Sequence, residues 1–375
     1  MSGFSEVVRQ YMEVRGLGVR ALARSAGYDP SYLSKVLRDR KPYGADIARH
    51  LDEALSAGGE IIQAAAAPPP SPRDPEEPVA PELVSYFRTQ LAGHYSADMF
   101  LGPKNLIPTV QAQTELLMDL ASRADAAVRP GLLDTGAAYA ALLGWLHQDA
   151  GDLTSSARWR DITLSLAHRS GSPELVSYAL TNKAMLALDS GNGRAVTDYA
   201  QAALAGERQL PAKCRILALQ HQAQGEAMLG NRAVADRLLD SAAGLTGRVD
   251  DEHPWGNACR RTPHYVEVQR ATCYGRTGAP ADAADAAGLW DQIMKSMPAE
   301  ARRDNAVFAA RQAQALAQVP DPHRVLEITA AAAETVPATG SARLRRELGG
   351  IRERARPWIR TRAGRELSGI LAGIG

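Results

Sequence analysis

Apolar residues in the first sixty positions fall three and four apart, the spacing of a helix with one buried stripe. Four short helices follow from it: Phe4 to Val14, Val19 to Ala26, Pro30 to Leu37, and Asp46 to Leu55 with Ile47, Leu51 and Leu55 inward. Between the second and third, Gly27 can take the left-handed conformation that ends a helix, Asp29 can cap the next, and Pro30 sits at its first position. Leu33, Val36 and Leu37 then make a buried stripe, leaving Ser31, Ser34, Lys35 and Arg38 opposite. Small Ala23 permits a close helix crossing. Two short helices joined by a glycine turn form a helix-turn-helix, whose second helix fits a DNA major groove.

Residues 61–82 break the pattern. Alanines run into Pro-Pro-Pro-Ser-Pro, and Pro75, Pro78 and Pro81 stand among acids. The stretch from Gln63 to Glu82 reads as a semi-extended, partly disordered linker, unable to act as a rigid lever. It separates a domain at 1–60 from one at 83–375. No strand pattern appears after Leu83, and helices are expected near 82–100, 108–126 and 132–150. A period of about forty then emerges. Gly151, Gly191, Gly230 and Gly278 each end a helix, Pro320 holds the equivalent place in a fifth unit, and residues 245–264 are an insertion. Seven positions before each turn stands a small residue: Gly144, Ala184, Ala223, Ala271 and Ala313. Small residues in register are what closely packed antiparallel helices need. The expected fold is all-α: an N-terminal helix-turn-helix bundle linked to an α-solenoid of tetratricopeptide-like hairpins.

Stacked hairpins leave a concave face lined by the first helix of each pair. Helical phase against the small residues selects Trp145, Tyr178, Thr181, Asn182, Met185, Gln220, His221, Gln224, Tyr265, Gln269 and Thr272 as its lining. Amides and hydroxyls among aromatics suit a polar small molecule, a peptide or a small partner protein; a solvated helix face reads equally well at any one position. Asn182 is the best single contact, since an amide can donate to and accept from one peptide unit.

Charge sharpens the first domain. Eight Lys or Arg against three Asp or Glu lie between Arg15 and Arg49, in a chain whose net charge is only +1. Pro30, Ser31, Tyr32, Ser34, Lys35 and Arg38 are the candidate reading-helix contacts, and Arg20, Arg24, Arg40 and Lys41 the flanking phosphate contacts. The partner that this pattern of cations points to is double-stranded DNA. Arg343 to Arg365 carries nine Arg and two Glu; a solvated terminal helix is the default, a second phosphate surface the alternative.

Chemistry is absent where it was sought. Cys259, His264 and Cys273 lack zinc-site spacing, and His94, His147, His168 and His221 are scattered without a nucleophile elbow, HExxH or phosphate loop. No cofactor, metal or enzymatic activity is expected. The polar insert Asp250–Asn257 fits a lid over the groove or a surface loop equally. Three cysteines, no signal peptide and no apolar run of transmembrane length predict a cytoplasmic, nucleoid-associated protein with no membrane partner.

Gly27–Pro42 (GYDPSYLSKVLRDRKP), Leu101–Val110 (LGPKNLIPTV), Gly144–Asp152 (GWLHQDAGD) and Ser341–Leu348 (SARLRREL) together resemble the Xre-type, phage-repressor-like transcriptional regulators with a tetratricopeptide-like C-terminal domain. The resemblance spans nearly the whole chain and implies sequence-specific DNA binding as a dimer, with effector control through the repeats. The second helix, opening Gly18-Val19-Arg20, lacks the Gln that many such repressors use to touch phosphate; Arg20 or Arg24 would substitute. The alternative is an interaction scaffold, recruited to DNA by its first domain and without a small-molecule effector.

Overall fold

The computed structural model describes residues 3–38, 41, 43–66, 78–249, 264–299, 301–319 and 321–374. Its described residues are predominantly helical with no strand, and the chain divides into two compact units, Met1–Glu77 and Pro78–Gly375.

The first unit follows its capping chemistry. Helix α1 (Gly3–Val14) buries Phe4, Val8 and Met12 at successive turns. Helix α2 (Val19–Ala26) ends at Gly27 (φ 74°), and Tyr28 N donates back to Ala23 O at 2.8 Å. Helix α3 (Pro30–Val36) is capped as its sequence asks: the Asp29 carboxylate accepts from Ser31 N and Tyr32 N, both at 2.9 Å. Arg9 Nη2 donates to Leu37 O at 2.7 Å and closes its far end. Helix α4 (Ala45–Leu55) completes the core with Ile47, Ala48, Leu51 and Leu55.

The first unit also contains a correction. Helix α5 (Glu60–Ala66) occupies the start of the expected linker and packs on α1 and α4. Its anchor is Ile61, wholly buried, whose N–H donates to Asp52 Oδ1 at 3.0 Å; Asp52 Oδ2 accepts from Gly59 N at 2.9 Å. A buried carboxylate seven residues upstream thus starts the helix, and local composition does not reveal it. The rest of the linker, at 67–77, lies outside the described residues.

In the second unit α6 (Glu82–Leu101) and α7 (Pro103–Arg123) lead into α8 (Arg129–Ala150). Helix α7 starts five residues before the expected position, because Pro103 opens it at N1 and Pro108 is carried inside. Then come the hairpins: α8 with α9 (Leu153–Ser170), α10 (Pro173–Asp189) with α11 (Gly193–Ala203), and α12 (Ala212–Met228) with α13 (Arg232–Ala243). Two more follow, α14 (Tyr265–Tyr274) with α15 (Pro280–Met294) and α16 (Arg302–Leu316) with α17 (Pro322–Ala333). Consecutive helices pack on one another, the arrangement of a solenoid. The four turn glycines, 151, 191, 230 and 278, all have φ between 69° and 90°. The small residues seven positions earlier are all buried, and at Gly144 an added Cβ would stand 3.1 Å from Arg160 Cγ. Pro320 and the 250–257 insert lie outside the described residues, as do Arg40 and Cys259.

The solenoid then returns on itself. Short α18 (Val336–Thr339) precedes α19 (Ala342–Arg354), which packs against both α16 and α8, and α20 (Arg362–Ala372) covers α17. The default of a solvated terminal helix therefore fails for α19. Leu344, Leu348 and Ile351 are wholly buried, while Arg343, Arg346 and Glu347 enter ion pairs with Asp304, Asp189 and Arg311. Closure is polar. Arg303 Nη2 donates to Asp98 Oδ2 at 2.6 Å and Nη1 to Asp149 Oδ2 at 3.0 Å, while Ser341 Oγ donates to Asp149 Oδ1 at 2.6 Å.

Candidate functional site

Two features hold the candidate residues, one in each unit. On α3 the phase read from the sequence is the phase found: Leu33, Val36 and Leu37 are buried, Ser31, Lys35 and Arg38 are exposed, and Pro30, Tyr32 and Ser34 are half-buried. Arg20 and Arg24 stand exposed on α2. Lys41 is exposed too, but its Nζ lies 4.7 Å from the Tyr32 ring centroid, a cation–π contact that fixes one end of the cationic surface. Tyr32 in turn stacks on Tyr28, whose hydroxyl is 2.8 Å from His50 Nδ1. The exposed face of α3 is thus a cationic strip on an aromatic and aliphatic base.

In the second unit a cavity of about 310 Å³ opens among the first helices of the hairpins. Trp145, Tyr178, Thr181, Asn182, Met185, Gln220, His221, Gln224, Tyr265 and Gln269 all line it. Thr272 stands one layer back, its hydroxyl donating to Val268 O at 2.7 Å. The hydrogen bonds of the wall assign each group a role. Asn182 Oδ1 accepts from Arg160 Nη1 at 2.9 Å and its Nδ2 donates to Tyr178 O at 2.8 Å, so its amide is already engaged. Gln148 Oε1 and Ser156 Oγ take two further donors of the same wholly buried Arg160. Burial lowers that guanidinium to about 10, which still leaves it charged at neutral pH. Tyr265 donates its hydroxyl to Gln220 Oε1. Gln224 Nε2 donates to Gln269 Oε1 at 2.7 Å, and Gln224 Oε1 accepts from Arg276 Nη1 at 2.7 Å.

His221 is neutral. Burial brings its imidazole down to about 4 against the opposing bond to Leu217 O. With Nδ1–H donating to that carbonyl at 2.6 Å, Nε2 is left as an acceptor on the cavity wall.

What the sequence reading missed is the charged part of the wall: Asp98, Asp189, Asp304, Arg276, Arg303, Arg311 and Arg343. One of them was within reach. Asn182, His221 and Gln269 each stand two residues before their small residue, and the same offset from Ala313 gives Arg311. The rest come from helix ends and from α6 and α19, which local phase does not bring together. Among the described residues no group of three or more His, Cys, Asp or Glu could hold a metal ion. Nor is any helix among them long and apolar enough to cross a membrane. No protein-family model matches this chain, and no curated protein does.

Proposed function

We propose that this protein is a sequence-specific DNA-binding transcriptional regulator, acting as a homodimer, whose second unit binds a small-molecule effector. The observation that carries the DNA half is the exposed Ser31–Lys35–Arg38 face of a short helix capped on both ends, flanked by exposed Arg20 and Arg24. Lys35 and Arg38 can donate to guanine O6 and N7, while the flanking arginines reach phosphates. The effector half rests on the cavity. An extended peptide needs a groove open at its ends, whereas Arg303 and Ser341 tie the last hairpins to the first here. About 310 Å³ is the low end of the usual ~300–1,000 Å³ for small-ligand pockets.

The test begins with selection of a preferred operator from random duplexes. Lys35→Ala is expected to cost about 1–3 kcal/mol on that operator and to relax selectivity, while Arg24→Ala weakens all sequences alike and flattens the salt slope. Equal tight and selective binding by Lys35→Ala removes α3 from the groove. Operator affinity is then measured with and without a small-molecule extract of the cells. An affinity that no extract fraction alters removes the effector and favours the scaffold.

A further inference from the structure

Four arginines around the cavity are ion-paired. Arg303 bonds Asp98 and Asp149, Arg311 bonds Glu347, Arg343 bonds Asp304, and Arg346 bonds Asp189. Arg160 and Arg276 are not, and Arg160 spends its donors on Ser156, Asn182 and Gln148 behind the wall, whereas Arg276 faces the cavity. It lies just beyond α14, and among the described residues the one bond of its guanidinium goes to a neutral amide oxygen, Gln224 Oε1. No carboxylate among those residues lies within ion-pair distance of it. Burial and the like charge of Arg311 both work against its protonated form, with the charges of Glu347 and Asp189 only partly compensating. Arg276 and Arg311 thus face one carboxylate, Glu347, and it is Arg311 that holds it. An uncompensated charge out of water is costly, and a counter-ion that enters with it relieves that cost. A guanidinium carries five donors in a planar fork, so most of those on Arg276 remain for a ligand.

We propose that the effector is a small organic acid whose carboxylate is held by Arg276. Its apolar body rests against the aromatic wall of Trp145, Tyr178, Tyr265 and Phe308. The free donors of the Arg276 fork match the two oxygens of one carboxylate. His221 Nε2, the bare acceptor, selects acids that also carry a hydroxyl or N–H donor. This assignment deepens the effector reading above and rests on it.

The full-length protein is melted with matched pairs of probes: indole-3-acetate and indole-3-acetamide, 4-hydroxyphenylacetate and its amide, octanoate and octanamide. At least one acid is expected to raise the melting temperature saturably while its amide does not. Titration calorimetry on Arg276→Gln should then show that acid bound about 10- to 100-fold more weakly, the value of hydrogen bonds to a charged group. Arg276→Lys keeps the charge without the fork and should fall between. Arg276 is only half-buried and enters no ion pair among the described residues, so the unliganded variant should melt close to wild type. Amides that bind as well as acids, or an acid indifferent to Arg276→Gln, overturn the charge assignment. Silence of all six probes overturns it too. The extract experiment above judges the effector reading separately, since an extract that shifts operator affinity while these probes stay silent leaves that reading standing.

Discussion

Arg303→Met tests whether the solenoid is locked as a closed unit. The guanidinium makes three bonds, to Asp98 Oδ1 at 3.1 Å, Asp98 Oδ2 at 2.6 Å and Asp149 Oδ2 at 3.0 Å. Side-chain exposure is 9% for Arg303, 11% for Asp98 and 0% for Asp149, so water screens the group very little. Methionine keeps the aliphatic length but strands two carboxylates. Removing one member of a buried pair costs about 3–5 kcal/mol. With an unfolding entropy of about 2.1 cal/mol/K per residue over the roughly 300 residues of this unit, that is about 5–8 °C in Tm. The distribution of the loss is the sharper readout. Because Asp98 and Arg303 are 205 residues apart in sequence, the pair couples the ends of the array, alongside the packing of α19 on α8. Amide exchange in α6 and α19 should rise well before exchange in α12, and the melt should broaden. A variant that loses under about 1 kcal/mol, with uniform exchange, would refute the lock.

Asn182→Ala should lower unliganded stability by about 1–3 kcal/mol, because Arg160 loses an acceptor in a dry site; urea unfolding measures it. Gly225→Ala should cost about 1–3 kcal/mol in the same assay, since its Cβ would sit 2.9 Å from Gly193 O and 3.0 Å from Thr197 N, backbone atoms that cannot swing away. Acid should weaken the protein in two stages, both of one sign. His221 ordinarily titrates near 6.5 but near 4 when folded, so the unfolded chain binds the extra proton and stability falls as pH drops through that window. Burial raises the Glu347 carboxyl, but Arg311 and Arg276 outweigh it and bring it from 4.5 to about 2; its contribution is present above 4.5 and lost below. Urea midpoints for wild type and His221→Asn should converge toward pH 4 and part toward pH 7, and parallel curves would remove His221 from the first stage.

The features legible in the sequence were those set within one or two turns of chain. Asp29, Pro30 and Gly27 determine where α2 stops and α3 starts, and the same residues orient Lys35 outward. Turn glycines and the small residues seven positions earlier fixed the hairpins, and phase from those residues reached ten lining positions of the cavity. Other features depend on distant partners. Helix α5 hangs on Ile61 and on Asp52 at the end of α4, against a composition that reads as linker. The meeting of Arg303 with Asp98 depends on a small rotation accumulated over successive hairpins, which no local pattern encodes. Asn182 shows both sides: its place on the wall follows from phase, but Arg160, wholly buried on the neighbouring helix, takes the carbonyl oxygen that seemed free for a ligand.

A cavity whose walls run from Tyr95 to Arg343 also has a schedule. Its first and last contributors are separated by roughly 250 residues, about 12–50 s of synthesis at ~5–20 residues per second. Through that interval the early hairpins can stack while Asp98 and Asp149 wait for Arg303, and Asp149 longer still for Ser341. The N-terminal unit, finished with α5, precedes all of this. A chain released before Ala342 would carry a complete first unit and an open, unfinished second one. Premature termination therefore yields a product that differs from the whole protein in its chamber and not in its first unit.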